Sequence, residues 1–179
     1  MNKALIVIDM QNDYFTGGKM ELNNIDSALN NTLKLVDYAY KNSFPIYFIK
    51  HISNRADASF FLPNSNGVKL HKSLNTSLGK VITKHYPNSF KDTNLNSSLK
   101  DANIDNLIIC GAMSHMCIDS TVRAGFDLGY KIELVYDACA TKDLSFNKKI
   151  IKADDVHLAF MAALDGTFCK VKSTKEFIA

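Results

Sequence analysis

Apolar residues fall along this chain in two alternating rhythms. Short continuous runs read as buried strands: residues 3–10 (KALIVIDM), 45–51 (PIYFIKH), 80–85 (KVITKH), 106–110, 131–136 (KIELVY) and 169–172 (CKVK). The first is apolar on both faces, as a parallel strand covered on both sides would be. Between the runs the apolar positions take helical spacing. Residues 26–42 carry Ala28, Leu29, Leu33, Leu35, Val36 and Ala39. Residues 93–103 carry Leu95 and Leu99, and two further helices are expected from Cys117 to Gly129 and over 154–164. Ser173 and Glu176 have the spacing of a capping box for a short final helix. Residues 53–78 and 137–154 show neither rhythm and read as long linkers. The first contains Phe60-Phe61-Leu62-Pro63, apolar enough to pack, so an ordered loop beside a site is expected.

Strands alternate with helices from end to end, without repeats or an internal linker. That order predicts one α/β domain over residues 1–179, built on a mostly parallel six-stranded sheet. Right-handed crossovers would put helices on both faces.

Composition excludes several function classes. The net charge is only +3 and the lysines are dispersed, so no basic stripe points to nucleic acid. The four cysteines, Cys110, Cys117, Cys139 and Cys169, form no C-x-x-C pair, which removes zinc-finger and thioredoxin-like readings. No apolar run approaches the ~18 residues a membrane span needs. The N-terminus lacks the pattern of a signal peptide. A reduced, cytoplasmic protein acting on a small molecule is the resulting expectation.

The stretch from Leu107 to Tyr130 carries the candidate chemistry. A strand breaks at Gly111 and an amphipathic segment follows, with Cys117 where the helix is expected to begin. Helix dipole and unpaired backbone N–H groups would there favour a thiolate, the nucleophilic form. The competing reading is a small buried hydrophobe. Ligands in open α/β sheets bind beyond the C-terminal strand ends. Asp9 after the first strand, Lys84 after the third and Cys117 past the fourth all fall there. Together they make a coherent set. Cys117 would attack an electrophilic carbon, Asp9 would take and return the proton, and Lys84 would stabilise both anions. Phe15, Phe60, Phe61, Tyr86, Phe90 and His115 are candidates to line the pocket, with core packing the alternative for the aromatics. His51 and His71 look too isolated to form a site.

The segments ALIVIDMQNDYF, VITKHYPNSF and GAMSHMCIDSTVRAGFDLGY resemble the isochorismatase-like cysteine hydrolases, over nearly the whole chain. The resemblance implies a Rossmann-like three-layer α/β/α sandwich and an Asp–Lys–Cys triad at Asp9, Lys84 and Cys117. It also implies a non-proline cis peptide at Ala112–Met113. That bond would turn the Met113 N–H toward the same oxyanion as the N–H of Cys117. The family's substrates include nicotinamide, N-carbamoyl amines, other small amides and isochorismate. The metal-binding branch carries Asp-x-His after the second strand. Here the segment reads Lys50-His51-Ile52-Ser53, so no metal or other cofactor is expected. Members that cleave a vinyl ether lack the cysteine. The expectation is a metal-free hydrolase of C–N bonds in a small amide or carbamoyl compound. The alternatives are a catalytically silent binding module and a vinyl ether hydrolase. The resemblance further suggests a homo-oligomer, at least a dimer, for which Phe60-Phe61-Leu62-Pro63 offers apolar surface.

Overall fold

A computed structural model describes residues 2–179. Its centre is a parallel sheet of six strands. These are β1 (Lys3–Ile8), β2 (Ile46–His51), β3 (Lys80–Lys84), β4 (Asn106–Ala112), β5 (Lys131–Ala140) and β8 (Lys170–Lys172). Their order is β3-β2-β1-β4-β5-β8. All five neighbouring pairs are parallel.

The helices are α1 (Ile25–Lys41), α2 (Leu95–Asp101), α3 (Asp119–Asp127), α4 (Ala153–Leu164) and α5 (Thr174–Ile178). Alternate residues of each strand feed two cores, because successive side chains point to opposite faces. Leu5, Val7, Phe48, Ile108 and Val135 pack with Ala28, Leu29, Leu35 and Val36 of α1, and Phe177 of α5 joins them. Ile6, Ile8, Ile49, Ile109 and Leu134 pack with Leu95 and Leu99 of α2, Val122 of α3 and Leu164 of α4. The sandwich has three layers because the strands are apolar on both faces. The capping box of α5 forms in full between Ser173 and Glu176.

The linker over 137–154 is not structureless. β5 runs on to Ala140, and a small antiparallel ribbon follows: β6 (Leu144–Phe146) and β7 (Lys149–Ile151). Its two turn residues, Asn147 and Lys148, both have positive φ. That is the backbone twist a two-residue hairpin needs, supplied here without glycine. Among the described residues no helix is long and apolar enough to cross a membrane.

Candidate active site

The chain leaves β1 toward β2 on one side, and β4 lies on the other. The crevice beyond the strand ends is widest at such a switch of direction. Asp9 is the first residue past β1, with φ 52°. Gly111 pairs with Ile8 across the β1–β4 seam. Its φ is 126°, and a Cβ there would collide with the Ile8 carbonyl, so this position tolerates only glycine. The close seam brings the turn after β4 over Asp9.

That turn differs from a simple strand-to-helix junction. The Ala112–Met113 peptide is cis. Ser114–Ile118 then forms a π-helical turn before α3 begins at Asp119. The Met113 carbonyl accepts from the N–H groups of Met116 (3.0 Å) and Ile118 (3.2 Å). Side chains pin the turn to its surroundings. The Ser114 hydroxyl contacts Nδ1 of His157 on α4 at 2.8 Å, and Nδ1 of His115 lies 2.6 Å from the Thr141 hydroxyl past β5. Cys117 is therefore inside a buried π turn, not at the open N-terminus of an α-helix.

Asp9, Lys84 and Cys117 meet there. Nζ of Lys84 lies 2.8 Å from Oδ2 of Asp9 and 3.1 Å from Sγ of Cys117. The Asp9 and Lys84 side chains are wholly buried. Two further neighbours complete the surroundings of the ammonium: Nδ1 of His51 at 2.9 Å and the Tyr86 carbonyl at 3.1 Å. Neither oxygen of Asp9 has an aligned hydrogen-bond donor, so its 2.8 Å approach to Lys84 is a charge contact that leaves lone pairs uncommitted.

The electrostatics follow from burial and these contacts. Burial, then the charge of Asp9, pushes the Cys117 thiol up to about 12, with Lys84 opposing. The thiol is thus protonated at neutral pH, contrary to the thiolate expected from an exposed helix start. Desolvation outweighs the one nearby cation. Burial also works against the Lys84 ammonium, but the charges of Asp9 and Cys117 prevail and raise its pKa. His51 is lowered to about 4 by burial and by Lys84, so its imidazole is neutral and its Nδ1 can accept.

Asp9, His51 and Cys117 also offer donor atoms within 4.8 Å of one another, a spacing that could hold a metal. The Lys84 ammonium lies within hydrogen-bond or ion-pair distance of all three. It stands where a cation would.

A cavity of ≈ 320 Å³ opens over Cys117, walled by Tyr14, His51, Phe60, Phe61, Tyr86, Met113 and Met116. Of the pocket residues expected from sequence, Phe60, Phe61 and Tyr86 line it. Phe15, Phe90 and His115 do not. Phe15 turns away into a separate cleft of ≈ 700 Å³ and packs 4.3 Å from the His71 ring. Phe90 stacks on Tyr130 in the core beside α2 and α3. His115 is spent on Thr141 and on the edge of Phe160. Phe15 and His115 are each next to a lining residue and Phe90 is three from Pro87, and local turns decide which side chain faces inward.

Tyr14 and His51 are among the lining residues that were missed. Tyr14 precedes Phe15 in a 3₁₀ turn over Asn12–Tyr14. His51 ends β2 directly opposite Lys84 in register. The strand-end rule that selected Lys84 applies equally to His51, so its signal was present. Asp13 holds the loop in place: its buried carboxylate accepts the N–H of Phe61 at 2.6 Å. Phe61 is consequently buried and Phe60 packs against the core, while Leu62 stays exposed, so only part of this segment is free apolar surface.

Residues 3–175 match the model of the isochorismatase domain. The chain belongs to the isochorismatase family. Its likeness to an uncharacterised family member from Bacillus subtilis, YddQ, is 46% identity over 179 residues, covering 99% of each chain. A solved structure from Oleispira antarctica, provisionally described as an isochorismatase hydrolase, superposes with a TM-score of 0.93. It is 42% identical and covers 99% of this chain and 96% of its own. Nicotinamidase 3 of Arabidopsis thaliana is 25% identical over 170 residues, 88% of this chain and 80% of its own. The family is one of hydrolases, with amidases among its members. The six-stranded parallel sheet with helices on both sides is the fold of its solved structures.

Proposed function

We propose that this isochorismatase-family chain is a cysteine hydrolase of a C–N bond in a small amide, ureide or carbamoyl compound. One observation carries the reading: a single buried ammonium, Lys84, contacts both a carboxylate and a thiol at the base of a closed-in cavity.

In this reading Sγ of Cys117 attacks the substrate's carbonyl carbon as Asp9 takes the thiol proton. The high thiol pKa favours transfer concerted with attack over a resting thiolate. The carbonyl oxygen becomes an oxyanion held by the backbone N–H groups of Met113 and Cys117. Asp9 then passes its proton to the leaving nitrogen, the C–N bond breaks, and a thioester on Cys117 remains. Water attacks the thioester with Asp9 again as base, releasing the acid and restoring the thiol. Lys84 balances the negative charge that moves between Asp9 and the sulfur. It fills the place of a metal cation, so we read the site as metal-free. We also read the chain as at least a dimer.

The test is a screen of the purified protein against small amides, ureides and carbamoyl compounds, reading ammonia release. Turnover of one of them by wild type, and not by Cys117→Ala, is expected. A vinyl ether substrate turned over by both proteins would overturn the reading.

A further inference from the structure

Three tyrosines are buried, and the hydroxyls of two of them are satisfied. The Tyr47 hydroxyl donates to the Ser98 carbonyl at 3.2 Å, and that of Tyr130 donates to Oδ1 of Asn96 at 2.8 Å. The third, Tyr14, is the most enclosed, with 1% of its surface exposed. Its backbone is fixed by bonds to Gln11 and Leu22. Its ring is fixed against Phe61, with centroids 4.6 Å apart, and against Phe60 at 6.1 Å. Among the described residues its hydroxyl has no hydrogen-bond partner.

A phenylalanine would pack the same ring without presenting a donor to the cavity. The hydroxyl faces the cavity that holds Cys117. It is not spent on Asp9, whose oxygens have no aligned donor. Burial, and then electrostatic coupling to Cys117 and Asp9, holds the phenol well above its ordinary pKa, so it stays protonated and can donate. His51 Nδ1 and the Tyr86 carbonyl hold Lys84. At the rim, Arg55 and Asp57 pair with each other.

From this geometry we infer that Tyr14 is a substrate-binding residue whose hydroxyl donates a hydrogen bond to the acyl group of the bound substrate. The cavity thus selects small carbonyl compounds carrying an acceptor beyond the scissile carbonyl over their hydrocarbon isosteres. The inference rests on the cysteine-hydrolase reading. There the scissile oxygen goes to backbone N–H groups and the leaving nitrogen to Asp9, and the Tyr14 donor remains for the rest of the molecule. A site built to hydrogen-bond its ligand rejects an analogue that lacks the partner atom.

The test uses aldehydes, which add to a cysteine reversibly. The S–C bond forms, the C=O π bond opens, and the thiol proton ends on the new hydroxyl, with nothing released. Benzaldehyde and the three pyridine carbaldehydes share one flat shape and move a single acceptor nitrogen around the ring. Each is labelled with ¹³C at the aldehyde carbon and titrated against wild type and Tyr14→Phe, reading the thiohemiacetal resonance. Benzaldehyde should bind both proteins equally, which controls for an intact cavity. For at least one pyridine isomer, its affinity relative to benzaldehyde should fall about fivefold in Tyr14→Phe, the scale of one neutral hydrogen bond. Ratios unchanged for all three isomers would overturn the inference and leave the cysteine reading standing. Loss of the benzaldehyde adduct in the variant would show a structural hydroxyl and also overturn it. No adduct at Cys117 in either protein would remove the cysteine reading itself.

Discussion

Nδ1 of His51 lies 2.9 Å from Nζ of Lys84, and the two residues are register partners at the ends of β2 and β3. The Gln11 side chain clamps the His51 backbone from both sides, accepting its N–H at 2.7 Å and donating to its carbonyl at 2.8 Å. A neutral imidazole held this way can accept one of the three N–H bonds of the ammonium, which leaves the others for the Tyr86 carbonyl and Cys117 while Asp9 is held by charge.

The first prediction is a pH dependence. The folded pKa of His51 is lowered to about 4, below its ordinary 6.5. Below about 6.5 the unfolded chain therefore binds a proton that the folded one refuses. Stability should be complete above that pH and should decline as pH falls toward 4. His71, His115 and His157 are shifted the same way and share in the decline. Urea midpoints of wild type and His51→Gln between pH 4 and 7.5 isolate its part. The variant should show the shallower slope, and parallel curves would contradict the assignment.

A second prediction concerns the thiol. With its pKa near 12, Cys117 should react slowly with iodoacetamide at neutral pH and faster as pH rises. Asp9→Asn removes a charge that raises the thiol pKa and should speed alkylation at fixed pH. Lys84→Met should slow it. Peptide mapping separates Cys117 from Cys110, Cys139 and Cys169, which are also buried. Fast labelling of wild-type Cys117 below pH 7 would contradict the account.

Asp9 and Lys84 should act as a unit in stability and in activity. Removing one partner of a buried pair strands the other charge, at a cost of about 3–5 kcal/mol. Asp9→Asn and Lys84→Met should each unfold at lower denaturant, and the double variant should recover part of the loss. On turnover, each single change should cost at least about a hundredfold, the scale of general acid–base catalysis. The double change should cost little more than the worse single one. A double-mutant cycle in which both losses simply multiply would show independent residues.

All six strands of the main sheet are legible in the sequence: the inner ones as continuous apolar runs covered on both faces, the edge strands β3 and β8 as shorter, partly exposed runs between helical stretches. The ribbon is not legible. Leu144–Phe146 and Lys149–Ile151 are three residues each, mostly exposed, and turn through Asn147-Lys148 without a glycine signal. Asp9, Lys84 and Cys117 could be brought together from strand ends alone, because the parallel register fixes those ends. Which neighbour faces the cavity depended on turn geometry with no periodic signature. The 3₁₀ turn at Asn12–Tyr14 presents Tyr14 instead of Phe15, and the π turn sends His115 to Thr141. The thiol pKa needed the depth of burial, which no local pattern reports.

The ribbon leads to a prediction on assembly. Two-stranded ribbons are marginal alone in water. This one exposes Phe146 at 74% and Ile150 at 68%. We expect the chain to be at least a dimer by light scattering at micromolar concentration, and Phe146→Ser with Ile150→Ser to shift it toward monomer. A wild-type monomer would contradict the expectation, and an unshifted double variant would place the contact elsewhere.

The central claim is that Cys117 carries the acyl group. The most direct measurement is an acid quench of wild type during turnover of an amide found by ammonia release, followed by mass analysis of the peptide containing Cys117. The account predicts that peptide heavier by the acyl group less one hydrogen, and neither adduct nor ammonia from Cys117→Ala. Ammonia released at the wild-type rate by Cys117→Ala, with no acylated peptide in either protein, would contradict it.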